Sequence, residues 1–213
     1  MAKNKKEVLI IVRGASISYP KNKFVQKIER SFLRGLTSEV GIADEDYAKM
    51  ARFFEKNYKN IETLRWDGDI WKNPSISLPI KELDRLIKKY KKSQIDIIAV
   101  SLGGLIAQKA ISQNKNAKVN KLLYIGAVHG KENHNIKNIG LIFNIYSGRD
   151  KVFTLLNDLY NGIEGGVIHG ENVVNICLKE IAHEDWCKNL ALKDKSLKRM
   201  PLFEFYKDLL LKD

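Results

Sequence analysis

The chain has 213 residues, a hydrophobic content of 44%, a charged content of 29% and a formal net charge of +12 at pH 7. These values are typical of a single globular domain over residues 1–213, and no apolar run approaches the roughly 20 residues that a membrane-spanning helix needs. The lysines are spread along the chain among acidic residues, without an aromatic-rich basic stripe. This scattered distribution argues against a nucleic-acid-binding protein and is typical of solvated surfaces. Weak association with anionic membrane surfaces is the alternative interpretation of the charge.

The first predicted element is a strand over residues 7–13, EVLIIVR. Basic residues precede it, as in a signal peptide, but the apolar stretch is shorter than the roughly 7 to 15 residues of a signal sequence, and no small-residue cleavage site follows it. The two cysteines, Cys177 and Cys187, have no metal-binding or redox spacing. We therefore expect a cytoplasmic protein with reduced, structural thiols.

Strands and helices alternate along the chain. The strands are short, β-branched apolar runs, predicted at 7–13, 61–66, 95–100, 121–126, 140–147 and 172–178. The helical patterns lie between and after them, at 23–36, 44–59, 78–92, 103–113, 151–160, 184–192 and 201–211. Several apolar runs are continuous, as expected of strands covered on both faces. The pattern predicts an α/β fold with a mostly parallel six-stranded sheet and helices on both faces.

Ligands of such folds bind beyond the carboxyl ends of the strands, and a serine follows the strand at 95–100. A sharp strand-to-helix turn that presents a serine needs small residues two positions before and after it. Ala99 and Gly103 meet this need around Ser101. The helix that follows aims its amino terminus at Ser101, which favours negative charge there. The same segment also fits a plain helix cap, since serine is a preferred N-cap.

Two further polar residues come after predicted strands. Asp150 follows the run at 140–147, and His183 follows the run at 172–178. Each has an ordinary interpretation, Asp150 as a helix cap and His183 as a surface histidine. Together with Ser101, however, they would gather a nucleophile, an acid and a base at one edge of a parallel sheet. A chance occurrence of all three residues in these positions is much rarer than that of any one of them.

The order of these residues resembles that of the α/β-hydrolase family. The matching segments are AVSLGG at 99–104, IYSGRD at 145–150 and AHED at 182–185. The resemblance covers nearly the whole chain. It implies the α/β-hydrolase fold, with the first strand between the second and the third. Because strands and helices use most of the chain, we expect a minimal form of this fold without a large lid domain.

The resemblance also implies an activity. Ser101, Asp150 and His183 would form the catalytic triad of a serine hydrolase that cleaves carboxylic esters, with lipid and thioester substrates included. Neither a metal nor an organic cofactor is needed for this chemistry. Two alternatives stay open, a hydrolase-fold binding protein without turnover and a phospholipase acting at a membrane surface.

The oxyanion hole implied by the resemblance has two parts. The amide of Leu102 would supply one donor, and an amide of Ala15 or Ser16 would supply the other. Family members often carry His-Gly after the first strand, whereas this chain has Arg13 and Gly14. Gly14 still permits close approach of the backbone to substrate, but the sequence leaves open which amide donates.

The substrate pocket is expected to include three aromatic residues. Trp66 and Trp71 flank an Asp-Gly turn after the second strand, and His129 follows the fourth strand. Ordinary packing of the two tryptophans is the alternative interpretation. Metal binding by His129, Glu132 and His134 is not expected, because the segment has no helical face with two histidines.

Two aspartates are rival acids to Asp150. Asp158 would lie deep in or after the helix predicted at 151–160, and Asp185 is too close to His183 for the family arrangement. Strands and helices use most of the chain, so we expect an open pocket that prefers short-acyl esters. Whether the glycine-rich segment 159–172 covers this pocket is left open.

Overall fold

The structure is a computed structural model of the chain. It describes residues 5–15, 42–66, 75–130, 138–148, 150, 163–179, 181–192 and 200–212. The helices predicted at 23–36 and 151–160 lie outside these ranges. Within the described ranges, no helix combines the length and the apolar composition that crossing a membrane requires.

The described elements are a large sheet, a small two-stranded sheet, α-helices and one short 3-10 helix. In chain order they are β1 (Lys6–Val12), α1 (Asp44–Phe54), β2 (Tyr58–Leu64), α2 (Ser77–Lys89), β3 (Ile95–Val100), α3 (Gly103–Gln113), β4 (Val119–Ile125), β5 (His129–Gly130), β6 (Ile139–Tyr146), β7 (Ile163–Glu164), β8 (Val173–Cys177), the 3-10 helix (His183–Asp185) and α4 (Leu202–Leu211).

The large sheet has six parallel strands in the order β2-β1-β3-β4-β6-β8. All six predicted strands form, and β1 lies between β2 and β3 as expected. The fold class is therefore confirmed. Because every connection within this sheet joins parallel strands, the carboxyl ends of all six strands lie at one edge.

The sheet is covered on both faces, which explains the continuous apolar runs. Alternate residues of β1 point to opposite sides, with Val8, Ile10 and Val12 in one core cluster and Leu9 and Ile11 in the other. Helices α2 and α3 contribute to the first cluster, and α1 and α4 contribute to the second. The helices packed on both faces hold the sheet in place, and with it the carboxyl ends of the strands, where the candidate site lies.

Apart from the bounds of single elements, such as the helix predicted at 44–59 that ends at Phe54, two features differ from the sequence prediction. The strands β5 and β7 form an antiparallel pair of two residues each, too short to leave a periodic signal. The prediction of a helix at 184–192 was wrong, because the structure has only the 3-10 helix His183–Asp185 there, followed by turns. Its apolar spacing arises because Trp186, Cys187 and Leu192 all pack into one core cluster from an irregular backbone.

A buried carboxylate lies near the amino edge of the sheet, opposite the carboxyl ends. Asp96 is 1% exposed. Its oxygens accept hydrogen bonds from Tyr58 Oη at 2.8 Å, from Asn120 Nδ2 at 2.7 Å and from the Lys121 amide at 3.1 Å. The Lys6 ammonium lies 3.4 Å away. These partners satisfy the buried charge, so Asp96 stabilises the fold at the edge remote from Ser101.

Candidate active site

Ser101 occupies a strained turn between β3 and α3. Its φ is +53°, and among the described residues it is the one non-glycine with positive φ. The Ser101 amide donates to Ile125 O at 3.1 Å, and its carbonyl accepts from the Val128 amide at 3.1 Å. Such a conformation costs about 1–3 kcal/mol and persists only where the surroundings impose it.

Ser101 does not cap the helix that follows. Leu102 occupies the N-cap position of α3, and no side chain makes a capping hydrogen bond there. The cap interpretation of Ser101 is therefore wrong. The side chain is held at the carboxyl edge of the sheet beside the amino terminus of α3, where a developing negative charge is favoured.

Glycines allow the turn to pack this closely. A Cβ at Gly103 would lie 2.5 Å from Val12 O, and one at Gly104 would lie 2.6 Å from Val128 O. A Cβ at Gly14 would lie 2.7 Å from the Cβ of Ser101. The loop after β1 and the start of α3 therefore approach Ser101 as only glycine permits.

The structure joins the predicted acid and base directly. Asp150 follows β6, His183 begins the 3-10 helix after β8, and His183 Nδ1 lies 2.7 Å from Asp150 Oδ2. Both residues are 7% exposed. With Asp150 as the acceptor, Nδ1 carries the proton and Nε2 is left to act as a base.

Trp186 is a member of the site that the sequence analysis missed. Its indole Nε1 donates to Asp150 Oδ2 at 2.9 Å, the same oxygen that faces His183. Trp186 is fully buried, and its ring lies against Gly126, where a Cβ would collide with the indole. Trp186 is only three residues after His183 in the sequence, but the apolar spacing of this segment predicts a helix and gives no sign that the indole contacts Asp150.

The end of β4 connects the serine to this pair. Ile125 accepts the Ser101 amide hydrogen bond, and the next residue, Gly126, contacts Trp186. Among the hydrogen bonds of the described residues, none joins Ser101 Oγ to His183. Contact between these two side chains therefore stays a prediction. Catalytic hydrogen bonds often tighten only when substrate is bound.

The loop after β1 is held from two sides. The Gly14 amide donates to Tyr47 Oη at 3.0 Å, and Trp66 Nε1 donates to Arg13 O at 3.1 Å. Ser16 and Trp71 lie outside the described residues. Trp66 thus borders the loop predicted to supply an oxyanion donor, and its contact with substrate stays a prediction.

The remaining candidates lie around the site or outside the described ranges. His129, in β5, is 2% exposed, and burial lowers its pKa from the ordinary value of 6.5. Its contact with substrate stays a prediction. Asp185 Oδ1 accepts from Lys188 Nζ at 3.0 Å, whereas Glu132, His134 and Asp158 lie outside the description. Across the described ranges, no group of three or more His, Cys, Asp and Glu side chains could hold a metal ion.

The described part of the glycine-rich segment 159–172 is tied to the sheet. Asn144 Nδ2 donates to Gly166 O at 2.5 Å. Asn175 accepts from the Ile168 amide at 2.9 Å and donates to Ile168 O at 2.8 Å. These bonds fix residues 166–168 against β6 and β8.

Comparisons with known proteins identify the fold. Neither a protein-family model nor a curated protein matches the sequence. Among solved structures, MenH from S. aureus matches with a TM-score of 0.50 and 13% identity, over 98% of this chain and 94% of that chain. The Tle1 effector bound to the VgrG spike from the Type 6 secretion system matches with a TM-score of 0.39 and 12% identity, over 87% of this chain and 51% of that chain. At such low identity, the likeness to MenH shows the α/β-hydrolase fold alone.

Proposed function

We propose that the protein is a serine hydrolase that cleaves carboxylic esters. Ser101 is the nucleophile, His183 is the general base and acid, and Asp150 orients the histidine. One observation carries this proposal. A serine in a strained strand-to-helix turn lies at the same sheet edge as an Asp150–His183 pair joined at 2.7 Å. This is the constellation that nucleophilic acyl transfer needs.

The reaction proceeds through an acyl-enzyme. Ser101 Oγ attacks the ester carbonyl carbon while His183 Nε2 takes the hydroxyl proton. The tetrahedral intermediate collapses, the bond from carbon to the alcohol oxygen breaks, and the imidazolium returns its proton to the leaving alcohol. Water then attacks the acyl-enzyme, with His183 again accepting the proton, and the carboxylic acid leaves as Ser101 is restored.

Backbone amides stabilise the negative oxygen of the intermediate. Leu102 is fully buried at the amino terminus of α3, where its amide and the helix dipole favour a developing oxyanion. The second donor is the amide of Ser16 or that of Ala15, which directly follows the close approach of Gly14 to Ser101. Removing one such donor typically costs about 10²–10³-fold in turnover.

Active-site labelling tests this proposal. A fluorophosphonate should modify the wild-type protein at Ser101, and the Ser101→Ala variant should lose both labelling and ester hydrolysis. Ser112→Ala is the matched control, because Ser112 lies at the far end of α3 and its hydroxyl donates to Lys109 O at 3.0 Å. Stoichiometric labelling at another serine, or full activity of Ser101→Ala, would refute the proposal.

A membrane-surface phospholipase is the second candidate, and the position of one basic groove argues against it. This groove, of about 950 Å³, is lined by Lys91, Lys92, Lys115 and Lys118 and lies by the start of β4 and β6. It is at the amino edge of the sheet, and Ser101 is at the carboxyl edge. A strand of six residues spans about 20 Å. A membrane that bound this groove would therefore lie on the side away from Ser101.

The preferred substrates are soluble short-acyl esters, from acetyl to about hexanoyl. Turnover should be measured against ester chain length below and above the critical micelle concentration, together with sedimentation on anionic vesicles at low and physiological salt. We expect that the rate does not rise on micelle formation. Any binding to anionic vesicles should weaken at physiological salt. A sharp rise at the micelle concentration together with vesicle binding would favour the phospholipase.

A further inference from the structure

The peptide group between Arg13 and Gly14 is anchored at both of its polar atoms. Its carbonyl oxygen accepts the indole proton of Trp66 at 3.1 Å, and its N–H donates to the hydroxyl of Tyr47 at 3.0 Å. The same peptide faces the nucleophile, since a Cβ at Gly14 would lie 3.3 Å from Ser101 Oγ. Two side chains thus set the orientation of the backbone beside the reacting atom.

Tyr47 is built into the first turn of α1 and contacts several parts of the site. It is 2% exposed, and its hydroxyl also faces the sulfur of Cys187, in the segment that follows His183. The Arg13 guanidinium lies 5.0 Å from the centre of the Tyr47 ring and pairs with Asp44, the first residue of α1. The start of α1 is therefore tied both to the loop after β1 and to the histidine segment.

We propose that Tyr47 is a positioning residue for the oxyanion hole, and that the amide of Ala15 is the second oxyanion donor. The proposal rests on the proposed hydrolase function. The Gly14 N–H is committed to Tyr47 Oη and is not available to substrate. The next amide along the chain, that of Ala15, is the first one free to face the nucleophile, and Trp66 supports the same geometry from the carbonyl side.

The expected effect follows from the sharp distance dependence of oxyanion stabilisation. The donors act when they lie about 2.7–3.1 Å from the oxyanion, and a misplacement of about 1 Å can cost about 10²-fold. Tyr47→Phe removes the hydroxyl that anchors the Gly14 amide, together with its contact with the Cys187 sulfur, and keeps the ring. We therefore expect kcat to fall by about 10-fold to 100-fold. KM should stay unchanged, because the oxyanion exists in the transition state and not in the bound ester.

Tyr58→Phe is the matched control. Tyr58 is also a 2%-exposed tyrosine, and its hydroxyl donates one hydrogen bond, to Asp96 at 2.8 Å, near the opposite edge of the sheet. Both variants lose one buried hydroxyl. For each, kcat and KM on a soluble aryl ester, the affinity for a trifluoromethyl ketone and the free energy of unfolding should be measured.

The inference expects a specific pattern. The serine adduct of the ketone carries an oxyanion, so in Tyr47→Phe kcat and the affinity for the ketone should fall by the same factor. In Tyr58→Phe both values should stay within about twofold of the wild type, at a comparable loss of stability. Unchanged kcat in Tyr47→Phe, or equal loss of kcat in both variants, would overturn the inference. A wild-type protein without ester turnover or labelling would instead count against the hydrolase function itself.

Trp66→Phe provides a second test that does not depend on the folding of Tyr47→Phe. The change removes the hydrogen bond to Arg13 O and keeps an aromatic ring. Loss of the anchor should lower kcat at constant KM, whereas loss of a substrate contact should raise KM. Unchanged kcat, or a change confined to KM, would contradict the anchoring of this peptide.

Discussion

The backbone of Ser101 is in a conformation that glycine or asparagine adopts at lower cost. Its φ of +53° lies in the left-handed region, and the described residues show no other non-glycine there. A protein that only bound ligands would gain stability from glycine at this position. The retained strain is expected of a nucleophile and argues against a binding protein without turnover.

The strain at position 101 predicts a difference between two inactive variants. Ser101→Gly should have a free energy of unfolding about 1 kcal/mol higher than Ser101→Ala, because alanine keeps the steric cost that glycine relieves. Chemical denaturation checks the stabilities, and ester turnover checks the activities. Equal stabilities would mean that position 101 is not strained, and turnover near the wild-type rate in either variant would remove Ser101 from its role.

The acid is predicted to act by holding the histidine tautomer. Asp150 Oδ2 faces both His183 Nδ1 and Trp186 Nε1, so Asp150→Asn would present an amide where a carboxylate is needed. We expect turnover to fall by about 10⁴-fold, as for the same change in a serine protease, with folding retained.

Asp185→Asn is the matched control for the acid, since Asp185 is close to His183 in sequence but pairs with Lys188. It should leave turnover within about twofold. Steady-state kinetics and circular dichroism of both variants provide the measurement. If Asp150→Asn were silent and Asp158→Asn abolished turnover, the acid would be Asp158.

The contact between α3 and the sheet determines how closely the helix amino terminus approaches Ser101. Gly103 faces the carbonyl oxygens of Val12 and Arg13, and Gly104 faces Val128 O and the methyl group of Ala127. These neighbours are mostly backbone atoms, which cannot move aside as a flexible side chain can. The glycines therefore bring the positive end of the helix dipole against the site.

This packing predicts different costs for two glycine substitutions. Gly103→Ala places a Cβ 2.5 Å from Val12 O, so we expect a loss of about 1–3 kcal/mol in the free energy of unfolding and a large loss of turnover. Gly148→Ala is the control, because a Cβ there meets nothing within 4 Å. Denaturant unfolding and ester hydrolysis test both. Equal effects of the two substitutions would contradict the proposed close packing.

At the scale of the whole molecule, several buried groups in one core cluster are held in their neutral forms. Burial raises the pKa of Tyr47 and Tyr206 well above 10.0 and that of the Cys187 thiol well above 9.0, their ordinary values. The unfolded chain releases these protons at the ordinary values, whereas the folded protein retains them. Above about pH 9 the unfolded state therefore binds fewer protons, and stability must fall as the pH rises.

The prediction is a steep loss of stability in alkali. The free energy of unfolding should be constant with respect to these groups below about pH 9 and should decrease progressively above it. Denaturant unfolding between pH 7 and about pH 11 measures this slope. Tyr206→Phe removes one buried phenol. Between pH 7 and about pH 11, this variant should lose less of its free energy of unfolding than the wild type loses. An unchanged slope in that variant would show that Tyr206 does not contribute.

The amino-acid sequence by itself determined the sheet and the turn that presents the serine. The inner strands are covered on both faces and are therefore apolar at consecutive positions, whereas the edge strands β2 and β8 are partly exposed and could be predicted from shorter β-branched runs. The turn was equally visible, because Ser101 needs small residues at fixed offsets along the chain. The order of Ser101, Asp150 and His183 pointed to one edge of the sheet, since each follows a strand in the sequence.

Only the tertiary structure decided which side chains support these residues. Asp150 is 33 positions from His183 and 36 from Trp186, and Gly14 is 33 positions from Tyr47. Local periodicity carries no information about such pairs, because they meet only after separate strands and helices have packed. The same limit made the segment after His183 look helical. Its apolar spacing reflects burial in the core, and burial is set by the whole fold rather than by the backbone of the segment.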